Sequence, residues 1–243
     1  MTETNNTTIG VITDIHGNSV ALREVLDDMP PVDEIVCLGD VVGYGPNPAE
    51  CVDLVREHAS VTLYGNHEMF LTEPAMVGNN SEAGAGVQHA LDQLSDEQLA
   101  WTQSLPYNEA LYGDRILLAH GHPNPETPYK YVRKGNATKL IPHSRDHGWE
   151  FLAVGHSHVQ FQLDLQQFHH DAGILFNPGS VGQPRDKDPT AAYGIINQDD
   201  RSVSLHRVEY DVERVVQQIE DAGLPRESGQ RLREGQHPRT NRI

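Results

Sequence analysis

The chain has 243 residues, of which 37% are hydrophobic and 22% are charged, and this is enough apolar sequence to bury the core of one α/β domain. Asp and Glu number 35 against 18 Lys and Arg, which gives a formal net charge of −17 and argues against a simple nucleic-acid-binding module or a protein that binds anionic membranes. Two cysteines exclude a disulfide scaffold and a cysteine-based zinc site.

The acid-rich composition contains few lysines and is typical of a protein from a halophile. Molar salt would screen the charge, which weakens the electrostatic argument against polyanionic substrates. The first ten residues have neither the basic nor the apolar region of a signal peptide, and the longest apolar runs are too short to span a bilayer. We therefore predict a halophilic, cytoplasmic protein without a membrane partner.

Short apolar runs alternate with helical patterns over the first half of the chain. Runs at residues 9–13, 35–38 and 61–64 predict buried strands, and the apolar spacing at 18–29 and 49–58 predicts the helices that connect them. Residues 81–94 and 95–103 also have helical patterns, the second with a capping box from Ser95 to Gln98. Strands that alternate with helices through short connections indicate a parallel α/β sheet.

The second half of the chain is richer in strands. A hairpin is predicted at 109–119 around Gly113-Asp114, and a weak helix at 136–147. Strands are predicted at 151–154, 159–165, 174–176, 193–197 and 203–208, followed by helices at 211–222 and 226–233. We predict one domain over residues 1–243, with a C-terminal helical tail from about residue 211. The basic end of this tail, 226–243, is expected to lie on the protein's own acidic surface, because it has no aromatic residues on which bases could stack.

Metal-capable side chains follow five of the predicted strands, each at the point where the strand ends. They are Asp14 and His16, Asp40, Asn66 and His67, His120, and His156 and His158. In open α/β sheets, ligands bind beyond the carboxyl ends of the strands, so these groups would converge if the strands share that edge. Gly39, Gly65 and Gly155 would let the backbone turn sharply and approach closely there. With His67 set aside, two carboxylates, one amide and four imidazoles exceed the needs of one tetrahedral ion but suit two divalent ions that share a carboxylate.

Each of these motifs taken singly has an ordinary structural explanation. A Gly-Asp pair after a strand is normally a turn, and His120 or His156 alone would normally be a buried, hydrogen-bonded histidine. The occurrence of all five in order, each just past a predicted strand, favours a metal pair. Such a pair can clamp the attacking and the leaving oxygen of a phosphoryl displacement.

The ordered motifs Asp14-Ile-His16, Gly39-Asp40, Gly65-Asn66-His67-Glu68, His120-Gly-His122 and Gly155-His156-Ser-His158 resemble those of the calcineurin-like metallophosphoesterase superfamily over about residues 8–210. The segments GDVVGYGPNP and NPGSVGQPRD further resemble its small prokaryotic phosphodiesterase branch. The resemblance implies an α/β fold, namely a four-layer α/β/β/α sandwich of two mixed sheets with metals at the sheet edges.

The resemblance also implies roles for the site residues. Asp14, His16 and His158 would hold one divalent metal ion, Asn66, His120 and His156 the other, and Asp40 would bridge the two. His67 matches the family's catalytic histidine, which stabilises or protonates the leaving oxygen. The implied reaction is hydrolysis of phosphodiesters, with monoesters left open, by in-line attack of a metal-bound hydroxide. Manganese is favoured as the metal, and nickel, cobalt, iron and zinc are the alternatives.

One departure from related enzymes bears on substrate charge. Serine/threonine protein phosphatases and dinucleoside tetraphosphatases carry an Asp-Arg pair where this chain has Gly43 and Tyr44. The Arg would grip a dianionic phosphate and the Asp would orient the catalytic histidine. Their absence favours a diester and leaves the residue that orients His67 unassigned.

Four further residues are tentative substrate contacts, each with a plain structural alternative. Tyr44 either packs over the site or fills its turn, and Asn177 either faces the metals or belongs to a tight Pro-Gly turn. Arg185 is either a phosphate contact or the partner in a surface ion pair. His122 is either a substrate contact or a residue that supports the ligands.

The predicted partner is a small phosphodiester or a nucleotide-like substrate, and a homo-oligomer stays open. Two alternative functions remain, a polynucleotide-directed nuclease or repair-type phosphodiesterase and a catalytically silent scaffold of the same fold. The retention of all seven donors and His67 favours an enzyme over the scaffold. A nuclease would need a basic or aromatic track beside the metals, and none is evident in the sequence.

Overall fold

Ten strands build two mixed sheets in the computed structural model, which describes residues 7–78 and 81–236. In chain order the strands are β1 (Thr8–Ile12), β2 (Glu34–Cys37), β3 (Ala59–Thr62), β4 (Asn108–Leu111), β5 (Ile116–Ala119), β6 (Phe151–Val154), β7 (Phe161–Asp164), β8 (Ile174–Asn177), β9 (Ala191–Asn197) and β10 (Ser202–Val208). The first sheet has the order β10-β9-β1-β2-β3 and the second the order β4-β5-β6-β8-β7. The strands β1, β2 and β3 are parallel in the first sheet, as are β5, β6 and β8 in the second. The remaining strands pair antiparallel with their neighbours.

Helices cover the outer faces of the sheets. They are α1 (Ser19–Asp28), α2 (Pro48–His58), α3 (Asn66–Thr72), α4 (Glu82–Gln93), α5 (Asp96–Gln103), α6 (Ile141–His147), α7 (Val212–Asp221) and α8 (Arg226–Glu234). Side-chain caps fix several of their starts. The side chain of Asn18 accepts the N–H of Ala21 at the start of α1, and the side chain of Ser81 accepts the N–H of Gly84 at the start of α4.

Three apolar cores separate four layers of structure. The two sheets pack face to face through fully buried side chains such as Val36 and Leu118. The outer face of the first sheet packs on α1, α2 and α4, and that of the second packs on α6 and on a 3-10 helix at Lys134–Leu140. The predicted four-layer α/β/β/α sandwich is therefore confirmed.

Successive strand residues point alternately into different cores. Val36 faces the core between the sheets and Cys37 faces the helices, while Leu118 and Ala119 divide in the same way in the second sheet. Because both faces of these strands are buried, the strands have continuous apolar sequences rather than alternating ones.

Some predicted boundaries differ from the structure. A seven-residue helix such as α3 holds too few turns to show a period, and its start is fixed by Glu68, whose Oε2 accepts the N–H of Gly65 (2.9 Å). The helix predicted at 136–147 begins as the 3-10 helix and becomes α6 only where Pro142 occupies its first turn. The strand predicted at 159–165 is confined to β7, because Leu165 starts a 3-10 turn that Asp164 caps.

The C-terminal helices α7 and α8 pack on each other and on Val20 of α1. Ion pairs join Arg231 of α8 to Glu82 and Arg233 to Glu213, so this part of the tail lies on the protein's own acidic side chains. The remainder of the basic stretch, 237–243, falls outside the described residues. Among the helices of residues 7–78 and 81–236, none reaches the length and hydropathy that a membrane crossing requires.

Candidate metal centre

The carboxyl ends of β1, β2 and β3 meet those of β5 and β6, and the loops that follow them are bonded to one another. The N–H of Asp14 donates to the carbonyl of Gly39 (3.0 Å), and the N–H of Gly155 donates to the carbonyl of His120 (2.8 Å). A bond from the N–H of His156 to Oδ2 of Asp14 (2.9 Å) joins the loops of the two sheets. The five predicted strand ends therefore share one edge of the sandwich.

Buried side chains from these loops form two adjacent groups of potential metal ligands. The ligand atoms within each group lie within 4.8 Å of one another. The first group is Asp14, His16, Asp40 and His158, and the second is Asp40, His120 and His156. Asp40 thus belongs to both groups. Asn66 lies beside the second, with its Oδ1 3.3 Å from Nε2 of His120.

Each carboxylate in the centre turns one oxygen to hydrogen-bond donors nearby. Oδ2 of Asp14 accepts the N–H of His156 (2.9 Å) and the hydroxyl of Thr13 (3.0 Å), and Oδ1 of Asp40 accepts the N–H of His67 (2.8 Å). The other oxygens, Oδ1 of Asp14 and Oδ2 of Asp40, are buried without a hydrogen-bond partner in the described part of the chain. Unpaired carboxylate oxygens in a protein interior are costly unless a cation compensates them.

Backbone carbonyl groups orient three of the histidines. The Nδ1–H of His16 donates to the carbonyl of Val42 (3.1 Å). In the same way, His120 donates to the carbonyl of Leu38 (2.8 Å) and His158 to that of Gln183 (2.6 Å). A carbonyl oxygen can only accept, so each Nδ1 carries a proton, and in the neutral ring Nε2 presents a lone pair to the centre. Nε2 of His158 lies 3.2 Å from Oδ1 of Asp14, and Nε2 of His120 lies 3.4 Å from Oδ2 of Asp40.

The charges in the centre favour a bound cation. Burial by itself would raise the pKa of Asp14 and of Asp40, but neighbouring imidazoles hold both pKa values below the usual range. Burial lowers the pKa of His16, and lowers that of His156 to about 3, so both rings are neutral near pH 7. His120 differs, because Asp40 outweighs the effect of burial and raises its pKa to about 9. A metal ion at His120 therefore competes with a proton.

This donor set fits divalent transition-metal ions. Carboxylate, amide and imidazole ligands together suit manganese, iron, cobalt, nickel and zinc. The thiols of Cys37 and Cys51 are buried outside both groups, and burial raises the pKa of each. A cation in the centre would satisfy the two unpaired carboxylate oxygens and the inward-facing Nε2 atoms.

Most of the ligand residues have a left-handed backbone, which residues with a Cβ rarely adopt. The φ angle is 53° at Asp14, 50° at His16, 54° at Asp40, 63° at His156 and 55° at His158. Strain of this kind costs roughly 1–3 kcal/mol per residue and clusters at functional sites. The chain therefore turns sharply just past β1, β2 and β6, at residues that are themselves candidate ligands.

The glycines of these loops allow the turn and the close approach. Gly39 has a φ of 99°, which suits a residue without a side chain. A Cβ on Gly65 would lie 2.2 Å from Oδ1 of Asp40, and one on Gly155 would lie 2.9 Å from Oδ2 of Asp14. Both carboxylates are thus packed against glycine backbone, where no larger residue fits.

Comparison with known proteins decides the family. The sequence model of the calcineurin-like phosphoesterase superfamily domain matches residues 8–201. The chain belongs to this superfamily. It is 34% identical to a metallophosphoesterase from Sphaerobacter thermophilus, whose crystal structure matches it with a TM-score of 0.81 over 95% of this chain and 100% of that one. An uncharacterised protein from Methanocaldococcus jannaschii is 33% identical over 239 residues, which are 92% of this chain and 96% of the relative.

A further relative in the superfamily matches a smaller part of the chain. The symmetrical bis(5′-nucleosyl)-tetraphosphatase of Paracidovorax citrulli is 34% identical over 119 residues, 45% of this chain and 42% of the relative. Membership of the superfamily and the buried cluster of Asp and His residues together indicate a metal-binding phosphoesterase.

His67 lies buried at the start of α3, beside the first ligand group. Its ring centroid is 4.6 Å from that of His16 and 4.7 Å from that of Tyr44, and its Nδ1 has no hydrogen-bond partner among the described residues. A Cβ on Gly43 would lie 2.1 Å from this Nδ1, so the Asp of the superfamily's phosphatases has no room here. Packing between rings, and not a carboxylate, therefore orients His67. Burial lowers the pKa of His67 to about 4.

Glu68 supports the site, although the sequence motifs give it no role. Its fully buried carboxylate accepts the N–H groups of Asp40, Val41 and Gly65, each at 2.9 Å. It thereby ties the loop after β2 to the start of α3, and burial raises its pKa to about 7. The spacing from Gly65 to Glu68, which is that of a capping box, is the signal that could have indicated this clamp.

Tyr44 and Arg185 lie together beside the first ligand group. Tyr44 packs over the site, with its ring centroid 4.9 Å from that of His16. The guanidinium of Arg185 lies 5.7 Å from the Tyr44 ring and donates to Oε1 of Gln183 (2.7 Å). It forms no ion pair with a carboxylate of residues 7–78 or 81–236, and the adjacent Asp186 pairs with a different arginine. Among the described residues, the surface ion pair considered as the alternative for Arg185 is therefore not seen.

The polar atoms of Asn177 and His122 are engaged by neighbouring residues. The buried amide of Asn177 donates to the carbonyl of Gly155 (2.7 Å) and accepts the N–H of Gly179 (2.9 Å), which ties its turn to the loop after β6. His122 lies outside both ligand groups, and its Nδ1 accepts the N–H of Asn124 (3.1 Å). The structure does not bring these two residues into the cluster of candidate ligands.

Proposed function

We propose that the protein is a dinuclear metal-dependent phosphodiesterase. The position of Asp40 carries this proposal, because Asp40 belongs to both ligand groups and its Oδ2 is a buried acceptor without a partner in the described residues. Asp14, His16 and His158 would hold one ion and Asn66, His120 and His156 the other, with Asp40 between them. Two divalent ions in such a site supply Lewis-acid activation of water and stabilise the charge of an in-line phosphoryl displacement.

The chain's own residues hold these ligands in place and provide a side chain that can act on the leaving oxygen. The carbonyl groups of Leu38, Val42 and Gln183 fix three imidazoles, as described above. The backbone N–H of His67 donates to Oδ1 of Asp40, which anchors the backbone of His67 beside the carboxylate proposed to bridge the ions. Because burial lowers its pKa to about 4, the ring of His67 is neutral near pH 7. It would stabilise the leaving oxygen by a hydrogen bond, or protonate it where the negative charge that develops there raises the pKa of the ring.

A diester suits the charge of the site better than a monoester. The phosphatases of the superfamily place an Asp-Arg pair where this chain has Gly43 and Tyr44. This chain therefore lacks the arginine that would bind the third oxygen of a dianionic phosphate. Arg185 is the cation that remains beside Tyr44, and we propose it as a contact for one phosphate oxygen.

We place manganese first among the metals, because the ligands mix hard carboxylate and amide oxygens with imidazole nitrogens. A cytoplasmic setting at high salt is part of the same proposal. The buried free thiols of Cys37 and Cys51 suit a reducing compartment, and the charge of −17 suits a medium that screens it.

The test compares bis(4-nitrophenyl) phosphate with 4-nitrophenyl phosphate, using the manganese-loaded protein in high salt. We expect a higher kcat/KM for the diester, and a shift toward the monoester in Tyr44→Arg. Arg185→Ala should lower kcat/KM for both, whereas the matched control Arg23→Ala, which removes an exposed arginine paired with Glu50, should behave as wild type. A strong monoester preference in the folded, metal-loaded wild type would contradict the proposal.

A further inference from the structure

An aromatic surface adjoins the second ligand group. The ring of Tyr131 stacks on that of His156, with centroids 4.2 Å apart and planes inclined by 16°. The ring of Tyr129 lies 6.2 Å from that of His120, and the ring of Tyr107 lies 6.3 Å from that of Tyr129. The rings therefore lead from two candidate metal ligands outward to the protein surface.

The outermost members of this surface are planar groups that face solvent. Tyr107 is 48% exposed. The guanidinium of Arg133, itself an exposed residue, lies over the ring of Tyr131 at 4.3 Å from its centroid. The ring of Tyr131 thus contacts both His156 and Arg133. We call Tyr107, Tyr129, Tyr131 and Arg133 the aromatic ledge.

The segment that carries most of the aromatic ledge is basic, in an otherwise acidic protein. Residues 129–134 read Tyr-Lys-Tyr-Val-Arg-Lys. Lys130, Arg133 and Lys134 are exposed, and in the described chain none of the three pairs with a carboxylate. The expectation that no basic or aromatic track lies beside the metals is therefore wrong. The sequence signal is the alternation of Tyr with Lys and Arg over these six residues.

We propose that the aromatic ledge binds the nucleobase of a nucleotide-type phosphodiester, whose phosphate lies at the metal centre. The inference rests on the proposed function, since it takes the scissile phosphate to lie at the two ligand groups. Bases stack on aromatic rings and on arginine planes, and both kinds of surface are present here. The unpaired cations attract the phosphate-bearing ligand toward an otherwise repelling surface.

The contacts of the ledge favour a base over other ester groups. A simple alkyl ester would bury against a tyrosine ring but could neither stack on the planar guanidinium of Arg133 nor accept a hydrogen bond from it. The ledge adjoins His120 and His156 of the second ligand group, whereas Tyr44 and Arg185 lie beside the first.

The test uses two monoanionic diesters with the same leaving group. They are 4-nitrophenyl thymidine 5′-phosphate and methyl 4-nitrophenyl phosphate, assayed with the manganese-loaded protein in high salt, where charge attraction is screened and stacking persists. We expect a kcat/KM ratio of at least about tenfold in favour of the nucleoside ester, within the range that a stacked base provides. The double variant Tyr107→Ala/Arg133→Ala should lose about tenfold in this ratio, and Tyr107→Phe should retain it.

Phe168→Ala is the matched control. Phe168 is 57% exposed but follows β7 near the start of β8, at the opposite edge of the second sheet, so its loss should leave the ratio unchanged. If wild type hydrolyses both esters with a kcat/KM ratio near one, base binding by the aromatic ledge is contradicted, while the proposed function stays intact. An unchanged ratio in the double variant would contradict base binding as well.

A binding measurement separates the ledge from catalysis. Calorimetry compares thymidine 5′-monophosphate with methyl phosphate, and we expect about tenfold tighter binding of the nucleotide to wild type but not to the double variant. If neither diester is hydrolysed by fully metal-loaded protein, the proposed function fails. This binding comparison still tests whether the aromatic ledge binds a base. Equal affinities for the two ligands would overturn base binding by the ledge.

Competition identifies the source of the base. Inhibition by a single-stranded oligothymidylate that strengthens with its length would indicate a polynucleotide substrate. Inhibition no stronger than that by the mononucleotide would indicate a small nucleotide ester. Both results support stacking on the ledge, and the absence of inhibition by either ligand would overturn it.

Discussion

The Nε2 atoms of His16 and His158 lie 3.1 Å apart, although each ring gives its Nδ1 proton to a backbone carbonyl. In the neutral rings neither Nε2 has a proton to donate, so the two lone pairs face each other. This contact becomes favourable when both nitrogens bind one cation.

Metal removal should consequently lower the stability of the fold. A ligand present at about 100 times its Kd stabilises the native state by about 2.7 kcal/mol. We expect the Tm to fall when a chelator strips the protein and to recover when Mn²⁺ is added back, measured by calorimetry at constant high salt. An unchanged Tm through this cycle would show that the paired imidazoles need no cation.

Asp40→Asn should weaken both metal sites at once. Asp40 is shared by the two ligand groups, so the loss of its charge should reduce metal content and abolish most hydrolysis while the fold survives. Metal analysis and circular dichroism check this result. The control is Asp171→Asn, since Asp171 belongs to an exposed group with His169 and His170, and it should keep the wild-type metal content. Full turnover with two bound metals in Asp40→Asn would refute the dinuclear assignment.

His67→Ala should separate catalysis from metal binding. We expect both metals to stay bound and the rate to fall about 10²–10⁴-fold, the usual contribution of general acid–base catalysis. The loss should be smaller for an ester with a nitrophenolate leaving group than for an alkyl ester, since nitrophenolate needs little protonation. A variant that loses metal instead would identify His67 as a ligand.

Glu68→Ala should destabilise the loop after β2. The substitution leaves buried N–H groups of Asp40, Val41 and Gly65 without their acceptor, and one orphaned buried donor alone costs about 1–3 kcal/mol. We expect a lower midpoint in denaturant unfolding together with weaker metal binding, and partial recovery in Glu68→Gln, which keeps one acceptor oxygen. Wild-type stability in Glu68→Ala would mean that the three donors find other partners.

The sequence predicts the parts of the site that lie next to a strand end. Val36, Cys37 and Leu38 form an apolar run because both faces of the strand are buried, and Asp40 follows where the run stops. An apolar run followed by a potential ligand lies within one short stretch of sequence, so local sequence alone predicts these ligands.

Tertiary contacts hide the remaining parts of the site. Tyr107 precedes β4 and Tyr131 follows β5, and only the fold brings both rings to the same edge. The role of Glu68 depends on the loop that carries Asp40, which comes from a different strand. The short helix that starts at Asn66 is fixed by this contact more than by any period in its own sequence.

The left-handed backbone at Asp14, His16, Asp40, His156 and His158 also bears on how such a protein would evolve after losing its activity. Once metal binding no longer constrains these positions, glycine or asparagine would relieve the backbone strain. Selection for stability would then replace the ligands themselves, and not only the residues around them. In descendants of this chain, glycine or asparagine at these five positions would mark lineages that have abandoned metal chemistry while keeping the sandwich.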